Sequence, residues 1–461
     1  MSAGAQPRVA VVGAGPAGAF AAASLLRNHG AIEIDLFERL PTPWGLLRGG
    51  VAPDHQEIKR LDETFDRQTL GRGCRFFGNV EIGRDISHDE LMRHYDAVIY
   101  ATGAQTDKTL GIPGEDLPGS RPATEFVAWY NGHPDYSGLE FDLSARRAVV
   151  IGNGNVAADV TRILARDPDE LARTDVADHA LEALRKSRIE EVVVLGRRGP
   201  AQAAFTSSEL RDLGRLDGVD LRVPPEEAEL DPISRRWLAD EGTFTARKNA
   251  ELLSEFAVAP PREDARRRIV LRFLRSPVEI RGNGGVEAID VRRNEIVQGD
   301  DGSLRPRATD DPVETIECGL VLRSVGYRAV PLPGVPFDER AFILPNERGR
   351  VHTPEGERLP GVYAVGWIKR GPTGILGTNK RDAEETVARL AEDLAAGALP
   401  APQQPGREAI DNLLAERKAD LVTIEGWRAI DARELGAGEH AERPRVKIAA
   451  HDELLSAAGA A

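Results

Sequence analysis

Two glycine turns carry the chemistry open to this sequence. In "VAVVGAGPAGAFAAASLL", Gly13, Gly15 and Gly18 form G-x-G-x-x-G between an apolar run and an Ala/Leu-rich one. In a strand–turn–helix unit the first glycine permits the tight turn. The second lets backbone approach a pyrophosphate, and the third lets helix pack on strand. The helix N-terminus then offers unpaired N–H groups to the phosphates. Glu38 follows Gly18 by twenty residues, at the end of the next apolar run. A carboxylate there accepts both hydroxyls of an adenosine ribose and repels a ribose phosphate. This turn suits FAD or NAD.

The second turn, in "VVIGNGNVAADVTRILAR", holds Gly152 and Gly154, with Ala157 in the third place. The apolar run after it, "EVVVL", leads not to an acid but to Gly196-Arg197-Arg198. Two guanidiniums clamp a 2′-phosphate through charge-assisted, often bidentate bonds, and so select NADP(H). Glu209, in "TSSELRDL", can orient that clamp or accept from a ribose hydroxyl. A plain ribose in one turn and a phosphorylated coenzyme in the other imply hydride transfer between two dinucleotides.

Two further stretches suit a flavin ring. In "VGWIKRGPTGILGTN", Gly374, Ile375 and Leu376 open a helix. Their N–H groups can face the ring edge where negative charge grows on reduction. Trp367 can pack beside the ring. In "PTPWGLLRGGVAPDH" (41–55), Leu46 can touch the flavin and His55 can relay or hold a proton. Asp159, one turn into the second helix, is a candidate partner for His55.

The elements that position these residues alternate strand and helix. The fold expected is α/β, with two Rossmann-like domains, each a parallel sheet with helices on both faces. The NADP domain, 106–319, is inserted into a discontinuous FAD domain, 1–105 and 320–461. Residues 269–294 alternate in the manner of antiparallel strands, with "RGNGG" as a turn. "GLVLRSVGY" and "GVYAVGW" read as apolar strands of the first domain that end at glycine.

Bulk properties narrow the class. The chain has 461 residues, 41% hydrophobic and 29% charged, as expected of a water-soluble globular protein. A net charge of -14 argues against non-specific nucleic-acid binding. Two cysteines, Cys74 and Cys318, leave no disulfide framework, no thiolate metal site and no C-x-x-C redox pair. No secretory signal or membrane span is legible, so the expected location is cytoplasmic.

The sequence resembles the adrenodoxin-reductase type of ferredoxin–NADP reductase. The matching stretches include "VVGAGPAG", "PTPWGLLRGGVAPDH", "FFGNVEIG", "IPGEDLPG", "FVAWYNGHPD", "VIGNGNVAADVTRIL", "GRRGPAQAAFTSSELR", "RSVGY" and "GWIKRGPTGILGTNK", in family order. "GILGTN" and "VAADV" depart from the commoner family forms by changes that are conservative or lie on a helix face. The resemblance implies FAD contacts at Ala17, Glu38, Leu46, Ile82, Trp367 and Gly374, Ile375 and Leu376. It implies NADP contacts at Asn153, Gly154, Asn155, Val156, Arg197, Arg198, Glu209 and Gly374. It also implies a ferredoxin-type iron–sulfur partner. The cysteines that a fused ferredoxin module needs are absent. An acidic partner would need a local basic surface, with Lys369, Arg370, Lys380, Arg381, Arg247 and Lys248 as candidates. A flavin monooxygenase or oxidase, and a redox-silent NADP(H) sensor, stand as alternative readings.

Overall fold

A computed structural model describes residues 6–29, 32–374 and 376–460. Two parallel sheets organise it. The first has seven strands, in the order Asn346–Glu347, Arg350–His352, Arg358–Ala364, Ala97–Tyr100, Arg8–Val12, Glu33–Phe37 and Arg75–Phe77. The last five run parallel, and the first two are an antiparallel extension. Arg8–Val12 is buried along its whole length, as a central parallel strand must be. Val9, Val11, Ile34 and Leu36 face a core shared with the helices Pro16–Asn28 and Leu376–Ala395. Ala10, Val12, Phe37 and Val98 face the opposite core, closed by Leu91 and by Ile410 and Leu414 of the helix Arg407–Arg417.

The second sheet has six strands, all parallel: Ser120–Pro122, Leu320–Arg323, Arg147–Ile151, Glu191–Leu195, Arg267–Arg272 and Val219–Arg222. Val150, Val192 and Val194 pack on helices. Val149, Ile151, Val193 and Leu195 pack instead on Ile280, Ile289, Val291 and Ile316. Those four residues come from a separate four-stranded antiparallel sheet that covers this face.

Two sequence expectations change. Leu320–Arg323 hydrogen-bonds to Arg147–Ile151, so it belongs to the second sheet, and the return to the first comes after residue 320. Its partner strand is far away in sequence, which an apolar run cannot reveal. Arg267–Arg272 lies parallel between Glu191–Leu195 and Val219–Arg222, and antiparallel pairing begins only at Arg275. Ile269 and Leu271 alternate as either kind of strand would, because period two does not encode direction.

The chain crosses between the sheets twice. The crossing segments Thr106–Asp107 and Tyr327–Arg328 pair with each other, antiparallel. The C-terminal segment adds a third tie. Lys447 and Lys59 share the buried Asp175 carboxylate at 2.8 and 3.0 Å, and Glu434, fully buried, pairs with Arg48 and Arg445. Among the described residues no helix is long and apolar enough to cross a membrane.

Each glycine turn is fixed by crowding. Gly13 has φ +103°, and a Cβ there would stand 2.6 Å from Ala101 O. A Cβ on Gly18 would stand 2.0 Å from Gly13 O, so helix and turn approach as only glycine allows. Gly18→Ala should destabilise the fold by about 1–3 kcal/mol through this overpacking, read as a lowered midpoint in urea unfolding.

Candidate active site

The helix Pro16–Asn28 starts at Gly15 with no side-chain cap, so its first N–H groups face outward from the turn. Glu38 stands beside it. One carboxylate oxygen accepts the Ala14 N–H at 3.0 Å and the other accepts Leu40 N–H at 3.1 Å. Burial pushes the Glu38 carboxyl up, while those two N–H groups and the Arg39 charge pull it back.

The two stretches assigned to a flavin ring converge on this turn. A Cβ on Gly45 would be 2.9 Å from Gly15 Cα, and Trp44 N–H donates to Ala14 O at 2.9 Å. Leu46 follows directly, 38% exposed, at the start of the short helix Leu46–Gly49. A Cβ on Gly366 would be 2.6 Å from the Ala17 Cβ, so the residue before Trp367 sits against the first helical turn. Ile82 is buried in the same core that Trp367 and Tyr327 pack against. Trp367 Nε1 is a buried donor with no partner among the described residues. Gly374 (φ +82°) precedes the helix Leu376–Ala395. Ile375 lies outside the described residues.

Asp382 ties this corner together. It accepts Gly366 N–H and pairs with Lys369 at 2.8 Å and Arg370 at 3.0 Å. Lys369 is buried and also pairs with Glu385. Lys369 and Arg370 therefore offer no free positive charge, contrary to the docking role expected of them. Arg247, exposed, donates to Leu238 O and Ala239 O and keeps its charge, while Lys248 pairs with Glu251. Lys380 and Arg381 are exposed and pair with no carboxylate among the described residues.

The second turn repeats the first. Gly152 has φ +128°, and a Cβ there would meet Ser324 O at 2.1 Å. Gly154 precedes the helix Asn155–Ala165, again without a side-chain cap. Asn155 Oδ1 accepts Thr206 N–H at 2.8 Å and Asn153 O accepts Ala204 N–H at 3.0 Å, which locks the turn to residues 204–206. Asn153 Nδ2 is buried without a partner among the described residues. Val156 is half-buried, and a Cβ on Gly154 would meet nothing within 4 Å. Arg197, exposed, and Arg198, half-buried, follow the strand Glu191–Leu195. Neither pairs with a carboxylate among the described residues. Burial, then the Arg197 charge, holds the Arg198 guanidinium below its ordinary value.

Between the turns lies an acid–base cluster. His55 Nε2 is 3.3 Å from Asp159 Oδ1 and 3.3 Å from Glu209 Oε1. Glu209, expected to orient the arginine clamp or to accept from a ribose hydroxyl, faces His55 and Arg162 here, on the helix Ser207–Gly214 that Thr206 caps. Arg162 joins the group, 1% exposed at its side chain, with Asp54 behind it. Sequence reasoning missed both. The one available signal was an arginine three residues after Asp159 on an otherwise apolar helix face. The His55, Asp159 and Glu209 ligand atoms lie within 4.8 Å of one another, a spacing suited to a metal ion. Arg162 Nη2, 2.6 Å from both His55 Nε2 and Asp159 Oδ1, already brings a cation there. The cysteines sit apart from the site in separate cores, Cys74 in one and Cys318 in another, their thiols pushed up to about 12 by burial.

Two dinucleotide turns of opposite charge preference, with a proton-active cluster between them, define a nucleotide-dependent oxidoreductase. Residues 7–193 match the pyridine nucleotide-disulphide oxidoreductase family. NADPH-ferredoxin reductase FprA of Mycobacterium leprae is 52% identical over 456 residues, 97% of each chain. The mitochondrial NADPH:adrenodoxin oxidoreductase of Arabidopsis thaliana is 41% identical, over 98% of this chain and 95% of that one. The solved structure of Mycobacterium tuberculosis FprA in complex with NADPH is similar at a TM-score of 0.92 and 48% identity, over 98% of this chain and all of that one. The chain belongs to the adrenodoxin-reductase type of ferredoxin–NADP reductase family.

Hydrogen bonds to Asp159 and then Glu209 push the His55 imidazole up to about 9, against burial and the Arg162 charge. A folded-state value above the ordinary 6.5 means that this stabilisation is complete below pH 6.5 and lost as pH rises through about 9. Urea unfolding should therefore show His55→Gln weakest against the parent protein at about pH 6, with the two converging by about pH 10.

Proposed function

We propose that this protein is an FAD-containing NADPH–ferredoxin reductase with its FAD at the Gly13–Gly18 turn and NADPH at the Gly152–Ala157 turn. The observation that carries the reading is the contrast between Glu38, held in place by two N–H groups, and the unpaired Arg197–Arg198 couple. A bound FAD would supply the chemistry that links a two-electron donor, NADPH, to a one-electron iron–sulfur acceptor.

The chain's own residues bind, orient and move protons. Gly13 shapes the turn, Gly15, Ala17 and Gly18 present N–H groups at the helix start to the FAD pyrophosphate, and Glu38 takes the ribose hydroxyls. The partnerless Trp367 Nε1, with Leu46, Ile82, Gly374 and Leu376, suits an aromatic ring bearing acceptors. Asn153, Gly154, Asn155 and Val156 take the NADPH pyrophosphate, the buried Asn153 amide supplying a free donor. Arg197 and Arg198 take the 2′-phosphate. His55 holds a proton at Nε2 within reach of Asp159 and Glu209. The FAD domain comprises residues 1–105 and the chain beyond the second crossing, with the NADP domain between. The protein works in the cytoplasm.

Each guanidinium–phosphate contact is worth about 1.5–3 kcal/mol, roughly 10- to 100-fold in binding. Arg197→Ala with Arg198→Ala should raise KM for NADPH by roughly 100-fold or more and leave NADH within a few-fold. An unchanged preference in steady-state kinetics with both coenzymes would overturn the assignment.

Lys380 and Arg381, exposed at the start of the Leu376 helix, are the basic residues positioned to meet an acidic ferredoxin. Replacing both with glutamate should slow ferredoxin reduction and flatten its salt dependence. Reduction of ferricyanide by the same variant should stay at the parent rate. Equal loss with both acceptors would rule out docking at this corner.

A further inference from the structure

Arg162 Nη2 has more acceptors than protons to give. Nε donates to Asp54 Oδ2 at 2.5 Å and Nη1 to Glu209 Oε2 at 2.8 Å. Nη2 lies 3.0 Å from Asp54 Oδ1, 2.6 Å from Asp159 Oδ1 and 2.6 Å from His55 Nε2. A guanidinium nitrogen of this type carries two hydrogens. Three acceptors compete for them, so the cluster has two complete arrangements.

In one, His55 is neutral, its proton on Nδ1, and Nε2 accepts from Nη2. In the other, His55 is protonated, and Nη2 serves Asp54 and Asp159 alone. Nε2–H then donates to Asp159 Oδ1 or Glu209 Oε1. Little backbone movement separates the two, because every partner is already within 3.3 Å.

The surrounding charges do not lock either state. Asp54, Asp159 and Glu209 face the single buried guanidinium, so the cluster has net negative charge and draws a proton to His55. Arg166, 3.6 Å from Asp54, offsets part of it. The neighbouring Tyr130 and Tyr327 phenols are held protonated by burial and bring no charge. Among the described residues, Arg162 is the one cation that opposes the imidazolium at contact distance.

We infer that Arg162 is a positioning residue that competes with a proton for the Nε2 lone pair of His55, and so sets the pH at which His55 yields its proton to the site. The inference rests on the reductase reading of the site. It also gives the cluster its reach. Asp54 and His55 come from the stretch that packs on the first turn, while Asp159, Arg162 and Glu209 come from the second sheet's helices. A shift between the two changes which acceptor Nη2 serves.

The test is a histidine titration of the FAD-loaded protein by nuclear magnetic resonance with labelled histidine, the His55 signal assigned by its loss in His55→Gln. Arg162→Lys keeps a cation for Asp54 but loses the forked second donor. The His55 midpoint should rise by about one pH unit or more. The pH midpoint of NADPH-driven ferricyanide reduction should move with it. Arg166→Lys, one turn away with the same charge, should leave both in place. An unmoved or lowered His55 midpoint in Arg162→Lys would overturn the inference. Should that variant not fold, the parent protein decides. Above its midpoint His55 should be the Nδ1–H tautomer, and an Nε2–H tautomer overturns the inference. The titration needs no turnover, so failure to accept electrons from NADPH would sink the functional reading separately.

Discussion

A backbone carbonyl sits over the first glycine of each turn, and the site's layout follows from that contact. Ala101 O closes on Gly13 and Ser324 O on Gly152, each nearer than a side chain permits. The hydrogen bonds repeat too. Gly13 N–H donates to Phe37 O at 2.8 Å and Gly152 N–H to Leu195 O at 2.9 Å. Each turn is therefore pinned between the strands on either side of it. The helix that leaves it aims unpaired N–H groups at a fixed point past the strand ends, where dinucleotides bind in sheets of this kind. In sheets of this kind the residue ending the neighbouring strand discriminates between adenosines. Glu38 fills that position in the first sheet and Arg197–Arg198 in the second.

Charge is distributed with the same economy. Acid residues outnumber basic ones across the chain, yet arginines are engaged nearly everywhere the site needs rigidity. Arg162 holds three carboxylates, Arg370 braces the Trp367 corner through Asp382, and Arg48 and Arg445 surround Glu434. Against that background an arginine pair without carboxylate partners is informative. A buried guanidinium left without an anion would be costly, whereas a half-exposed one waits for a ligand at little cost.

What the sequence made legible were the features written in short periods. The glycine turns each lie within one strand–turn–helix unit, and the acid and the arginine pair each follow the next strand. The convergence of Leu46, Trp367 and the first turn was legible from residue type. The rest depends on pairs distant in the chain. Leu320–Arg323 joins a strand 172 positions earlier, and nothing in its composition names that partner. Arg162 and Asp54 are 108 residues apart, and each alone looks like ordinary surface charge. Lys369 and Arg370 read as exposed basic residues because the Asp382 that consumes them lies on the next helix.

The pairing of Thr106–Asp107 with Tyr327–Arg328 has an architectural consequence. Neighbouring strands lie about 5 Å apart, so the intervening stretch of more than two hundred residues enters and leaves through one narrow neck. Such a stretch can be exchanged as a cassette, cut and rejoined at the neck, only where the receiving chain also meets Asp175 with lysines and Arg162 with a carboxylate. Under the proposed assignment, coenzyme preference would travel with the cassette and Glu38 would stay behind.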